Sequence, residues 1–185
     1  MARLPAATRE SVPEGQRATF DEMLQILGSV PEYGPGSVMI HVPEAHKLAT
    51  ALNQYLRDES SLPKKIQELA MLVTAREMDC QHIWNAHAAS AKQAGIDPDI
   101  VDSLRDEVEL PDLAPDEAAT ITYGREFFQT HHVSRGGFQA ALEQFGRQGL
   151  VELTMLMGNY ALLAFTINAF DSDLPPDRTE PLLPI

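Results

Sequence analysis

Apolar residues recur at three- and four-residue spacing along most of the chain, and strict alternation of apolar and polar positions is nearly absent. Phe20, Met23, Leu24 and Leu27 share one face of a helix over about Thr19–Leu27. Gly28 to Gly36, rich in Gly, Pro and Ser, reads as a loop. Pro43, in a first helical turn, opens a second helix through Leu48, Leu52 and Leu56. Ser60 or Ser61 is the expected cap of a third, with Pro63 in its first turn, running to about Met78. Asp79 is the expected N-cap of a fourth, Cys80 to Ala94, which Gly95 ends. Asp97 and Pro98 open a short fifth helix, and Ala114, Pro115 and Asp116 open a sixth to about Thr130. Gly136 and Gly137 precede another that ends at Phe145, and the last runs from about Gly149 to Phe170.

No hairpin dipeptide lies between alternating runs, so the expected fold class is all-α. The expected organisation is an extended arm over residues 1–15 and a single helical domain over 16–171. A proline-rich tail over 172–185 follows, where Pro175, Pro176, Pro181 and Pro184 leave no room for a helix. Leu150 to Phe170 is apolar enough to raise a membrane span. Glu152, Asn159 and Asn168 interrupt it, and the expectation is a helix central to the core or to a subunit interface, with no membrane partner. Residues 66–73 and 150–157 agree at four of eight positions, each with Glu third. Chance likeness of two Leu/Met-rich helices is one reading; an internally duplicated helical hairpin is the other.

Charge narrows the partners. A formal net charge of −13 argues against nucleic acid, which needs a basic footprint. Nine carboxylates between Asp97 and Glu117 face one Arg, Arg105, and read as a solvated acidic face. An anionic substrate therefore needs a local basic pocket, for which Lys64, Lys65 and Arg76 are the nearest candidates. The start of the chain shows no secretory h-region, and a single free cysteine suits a reducing interior, so a cytoplasmic protein is expected.

The polar clues cluster at Cys80. One thiol and two imidazoles, His82 and His87, fall within eight positions, and Glu68 is the carboxylate of the apolar helix just upstream. These are the parts of nucleophiles and proton relays. Residues seven apart on a helix differ by about 20° in direction, so Cys80, Ile83, Trp84 and His87 share a stripe while His82 points aside. In a first turn, Cys80 would be more acidic than an ordinary thiol. Glu68, Cys80 and His87 are expected to meet at one cavity, with His82, Ile83 and Trp84 lining it. A buried apolar Cys, a satisfied core His and a capping Glu are the structural alternatives. His82 and His87, about 140° apart on a helix, lack the spacing of a zinc-binding pair, and no metal is expected.

The stretch from Glu68 to Leu104 resembles the carboxymuconolactone decarboxylase family, which includes the alkylhydroperoxidase D-like proteins, and the resemblance covers about residues 20–170. His41 to Glu44 resembles the loop before that family's first core helix. The peroxidase branch carries Glu, eleven residues, then Cys-x-x-Cys-x-x-x-His with a His between the cysteines. Glu68, Cys80, His82 and His87 match, but Ile83 stands at the second cysteine and removes the disulfide on which that thiol cycle depends. A second branch carries aromatic-Glu-Trp-x-x-His; Trp84 and His87 match it, and Ile83 replaces its Glu.

The resemblance implies an all-helical homo-oligomer, a trimer or hexamer. It also implies a lyase-type activity on small lactone acids from aromatic-compound catabolism, without cofactor. His87 would be the acid/base, Glu68 its orienting partner and Cys80 a pocket residue. A peroxiredoxin-like activity using Cys80 alone, and a non-catalytic oligomer that binds a ligand or partner, are the alternatives.

Overall fold

The computed structural model describes residues 2–178 and 180–185, and its regular structure is helical throughout, with no strand among the described residues. The helices are α1 (Arg17–Leu27), α2 (Gly34–Met39), α3 (Pro43–Gln54), α4 (Lys64–Glu77), α5 (Gln81–Gln93), α6 (Pro98–Asp106), α7 (Pro115–Thr130) and α8 (Arg135–Phe170). A five-residue π-helical turn, Tyr55–Glu59, continues α3. Proline sits in the first turn of α2, α3, α6 and α7, where its missing N–H costs no helical bond.

α4 is the central element. From Ile66 to Arg76, eleven consecutive residues are buried, so this helix is enclosed on all sides. It packs on α5, α6, α7 and α8. Leu69, Met71 and Leu72 are wholly buried, and full burial of such side chains contributes roughly 1.5–3 kcal/mol each. α7 approaches closely at Gly124: a Cβ there would lie 2.7 Å from Val73 Cγ1 and 2.9 Å from Met157 Cε. A smaller cluster of Ala7, Val12, Phe20, Met23 and Ile40 joins the N-terminal arm to α1 and the end of α2.

α8 is two helices joined across a kink. Gly146 interrupts it with φ +63° and ψ −176°, a conformation open to glycine alone, so the separate helices ending at Phe145 and beginning near Gly149 are both present. An 18-residue window of α8 is apolar enough to cross a membrane by length and composition, and 56% of it is buried inside the protein. That degree of burial makes it a core helix. Glu152, in its second half, accepts from Tyr55 Oη, the Ser61 backbone N–H and Oγ, and Gln148 Nε2 at 2.6–3.0 Å. The two stretches with matching sequence thus lie in packed helices, α4 and α8, each holding a buried Glu. No helix follows α8 among the described residues, so the likeness extends to one helix and not to a second copy of the α4–α5 hairpin.

Three local expectations are corrected. The loop expected over Gly28–Gly36 gives way to α2 from Gly34, because Pro35 is a helix starter at its position rather than a breaker. Ser61 does not cap α4: its hydroxyl and N–H are spent on Glu152. Asp79 is not the cap of α5: its φ is +48°, its carboxylate bonds Arg76 at 2.8 Å, and Cys80 takes the N-cap position. Both ends of the chain pack on the body. Arg3 N–H donates to Phe170 O, and Leu183 is buried in the main core.

The contact at Gly124 gives a paired test. Gly124→Ala overpacks α4 against α7 and α8 and should destabilise by about 1–3 kcal/mol. Gly158→Ala, exposed in the same bundle with open space around its Cα, should stabilise by about 0.5–1 kcal/mol. Urea melts with unchanged slope would check both.

Candidate active site

The turn between α4 and α5 is short and fixed. Met78 N–H returns to Thr74 O at 3.0 Å, Asp79 N–H to Arg76 O at 3.1 Å and Cys80 N–H to Ala75 O at 2.8 Å. The left-handed backbone at Asp79 then sends α5 back along α4. That reversal places His87 of α5 against Glu68 of α4, and His87 Nδ1 lies 2.8 Å from Glu68 Oε2. The carboxylate is fully buried and the imidazole 8% exposed.

Burial pushes the Glu68 carboxyl up, but the bond and charge of His87 and the ammonium of Lys64 outweigh it and hold its pKa below the usual carboxylate value. Glu68 is therefore an anion that accepts the hydrogen on Nδ1, which leaves His87 Nε2 as the ring's working nitrogen. Among the described residues no hydrogen bond engages Nε2. The ring stands edge-on to Tyr160 of α8, with centroids 5.3 Å apart. Burial pushes the Tyr160 phenol up to about 12, against the pull of Arg57, so it stays a protonated donor at ordinary pH. On the outer side of Glu68, Lys64 Nζ stands 3.2 Å and Arg57 Nη2 3.8 Å from Oε1.

Cys80 behaves differently from the sequence expectation. It is the N-cap of α5, not a first-turn residue, and it is wholly buried in the main core. Burial pushes its thiol up, and the N–H groups of Ile83 and His82 only partly offset this. The helix terminus does favour a thiolate, but desolvation is the larger effect. Among the described residues no hydrogen bond joins Cys80 to Glu68 or His87, and the pairing the structure shows is Glu68–His87.

His82 lies aside. Its ring fills the space a Cβ on Gly34 would need, and burial followed by the charge of His87 lowers its pKa. It lines a cleft of about 410 Å³ with Asp79, Gln81, Asn168 and the start of the tail. Ile83 and Trp84 are core residues, not lining of that cleft: the Trp84 indole N–H donates to Pro181 O at 3.1 Å. Among the described residues no three His, Cys, Asp or Glu side chains are grouped to hold a metal ion.

Two residues of the site escaped sequence reasoning. Arg57 follows Leu56 on an ordinary helical face, and only the π-helical turn brings it to Glu68. Tyr160 carried no distinct signal, because Glu152 and Asn159 also interrupt the buried stripe of α8. Of the basic candidates, Lys64 is at the site. Lys65 is tied to Glu117 at 2.7 Å, and Arg76 is buried against Asp79 and Glu107.

Residues 43–126, which carry every site residue above except Tyr160, match the model of the carboxymuconolactone decarboxylase family. The whole chain is similar in fold to several solved structures. A peroxidase-related protein with an alkylhydroperoxidase AhpD core from Ralstonia eutropha JMP134 has a TM-score of 0.70 at 17% identity, covering 95% of this chain and 93% of that one. A peroxidase-related protein from Silicibacter sp. TM1040 gives 0.68 at 18%, covering 95% and 92%. The debrominase Bmp8, in a cysteine-to-alanine variant bound to 2,3,4-tribromopyrrole, gives 0.68 at 13%, covering 95% of each chain. No curated protein matches. At these identities the structures show a shared fold, and the likeness to the carboxymuconolactone decarboxylase family is carried by the matched segment, residues 43–126.

Proposed function

We propose that the chain is an enzyme that acts without cofactor on a small organic acid or lactone, with His87 as general acid/base and Glu68 as its positioning partner. The observation that carries this reading is the 2.8 Å pair between a buried, ionised Glu68 and His87 Nδ1, with Nε2 unengaged. In such a pair Nε2 takes a proton from substrate, the resulting imidazolium is stabilised by the carboxylate across the ring, and the proton is returned to the product carbon or oxygen. Substrate binds beside the ring, and Tyr160, packed against it, is a neutral hydroxyl donor.

A thiol-based reaction at Cys80, of the peroxidase-related kind named for the fold neighbours, is the second reading. It needs an accessible thiolate, whereas this thiol is buried, raised in pKa and the only one in the chain. An external thiol would have to reduce the sulfenic acid, and the buried sulfur gives it poor access. His87→Ala should therefore abolish turnover in a screen of ring-cleavage lactones, a loss of about a hundred- to ten-thousand-fold. Cys80→Ser should retain a substantial fraction. The reverse pattern moves the protein to the thiol reading, and equal activity in both places the chemistry elsewhere.

The ionised pair also sets a pH dependence of stability. Glu68 has a folded pKa below its unfolded value, so its contribution is fully present above about 4.5 and is lost as pH falls through the lowered folded value. Wild type should be more stable than Glu68→Gln at neutral pH, with the difference shrinking below about pH 4.5. Denaturant titrations at pH 7 and pH 3.5 measure it; a difference that persists unchanged at the lower pH counts against an ionised Glu68.

We further propose a homo-oligomer. Val151, Met155, Leu162 and Phe165 of α8 are all exposed, and Phe165 is 70% so. Sedimentation should give a mass above the 20.4 kDa of one chain. A monomer throughout the micromolar range would contradict it.

A further inference from the structure

We infer that Arg57 and Lys64 are the specificity residues of the Glu68–His87 site, recognising a carboxylate on the substrate and seating it beside the imidazole. This rests on the acid/base function proposed above and adds to it the residues that choose the substrate.

The first ground is charge balance. Arg105, Lys65 and Arg76 each lie within ion-pair distance of their own carboxylates. Arg57 and Lys64 instead share a single oxygen, Glu68 Oε1, whose companion oxygen is already held by His87. Two cations against one carboxylate leave a local surplus of one positive charge in a chain whose net charge is −13. An anion entering the site removes that surplus.

The second ground is an unmet donor. Arg57 Nε is buried and has no hydrogen-bond acceptor. A guanidinium is built to bind a carboxylate through two parallel N–H bonds, and here its Nε donor is unspent. The π-helical turn Tyr55–Glu59 takes Arg57 out of the phase α3 would give it, and such turns recur at functional positions.

The third is direction of access. Glu68 and Tyr160 are enclosed, while the Lys64 side chain is 50% exposed and that of Arg57 36%. The cations therefore stand on the solvent side of Glu68. Tyr160 Oη, with no hydrogen bond among the described residues, is a third donor within the field of Arg57.

The test is calorimetric titration of the full chain with acetate, malonate and cis,cis-muconate, and with their methyl esters as neutral controls. At least one of the acids should bind the wild type, more weakly as salt rises, and the esters should not. Arg57→Met should weaken the acid by about 10- to 100-fold, the range of one charge-assisted contact. Arg57→Lys, which keeps the charge and controls for folding, should recover part of the loss. His87→Ala should leave the acid's affinity in place while removing turnover. Esters binding as well as acids, an affinity indifferent to Arg57→Met, or no binding by any of the acids overturns the inference. If affinity ignores Arg57 while His87→Ala still loses turnover, the acid/base function stands and this inference alone falls. If carboxylate binding depends on Arg57 while His87→Ala keeps full turnover, the acid/base function falls instead.

Discussion

An ionised carboxylate enclosed in the middle of an apolar helix is the constraint around which the rest of the structure is arranged. Desolvating such a charge costs several kcal/mol unless partners replace the lost water. Glu68 obtains them from three directions: His87 from α5, Lys64 one turn back on α4, and Arg57 from the π-helical turn. The tight Met78–Asp79 turn, the burial of α4 and the distortion after α3 all serve that meeting. Tyr160 then packs against the imidazole. The same arrangement that makes the anion tolerable also leaves one imidazole nitrogen oriented and unspent.

Glu152 shows how a helix with a partly matching sequence can use the same residue to a different end. Its carboxylate is buried too, though less deeply than that of Glu68, and hydrogen bonds from hydroxyls, an amide side chain and a backbone N–H hold its pKa down against burial. No imidazole faces it, so the anion has no proton to direct. It ties the start of α4 and the π-helical turn to α8 instead. Those elements carry Lys64 and Arg57, so one buried Glu anchors the frame that the other uses.

Much of this was legible from the sequence because local rules carried it. Proline in first turns and Gly95 as a stop fix most helix limits, and the period of apolar residues gives the fold class. The Glu68–His87 pair was legible too, since one short turn joins their helices. What failed needed three-dimensional knowledge. Cys80 was expected to be acidic from its place at a helix start, but its burial is set by the body of the core, and burial wins. Ile83 and Trp84 lie on the expected stripe, yet that stripe faces the core and the returning tail. Arg57 and Tyr160 arrive from elements about eleven residues before and about ninety after Glu68, and nothing local announces either.

The break at Gly146 has a further effect on how the long last helix can change over time. In an unbroken helix, each inserted or deleted residue rotates everything downstream by about 100°. Such a change would carry the inward stripe from Glu152 through Tyr160 to Ile167 off the core. The left-handed step at Gly146 resets the phase. Length changes between Arg135 and Phe145 can be absorbed there, leaving the second half in register with α4. The outer half of α8 is thereby free to vary in evolution, while the half that touches His87 is held to a fixed angular position.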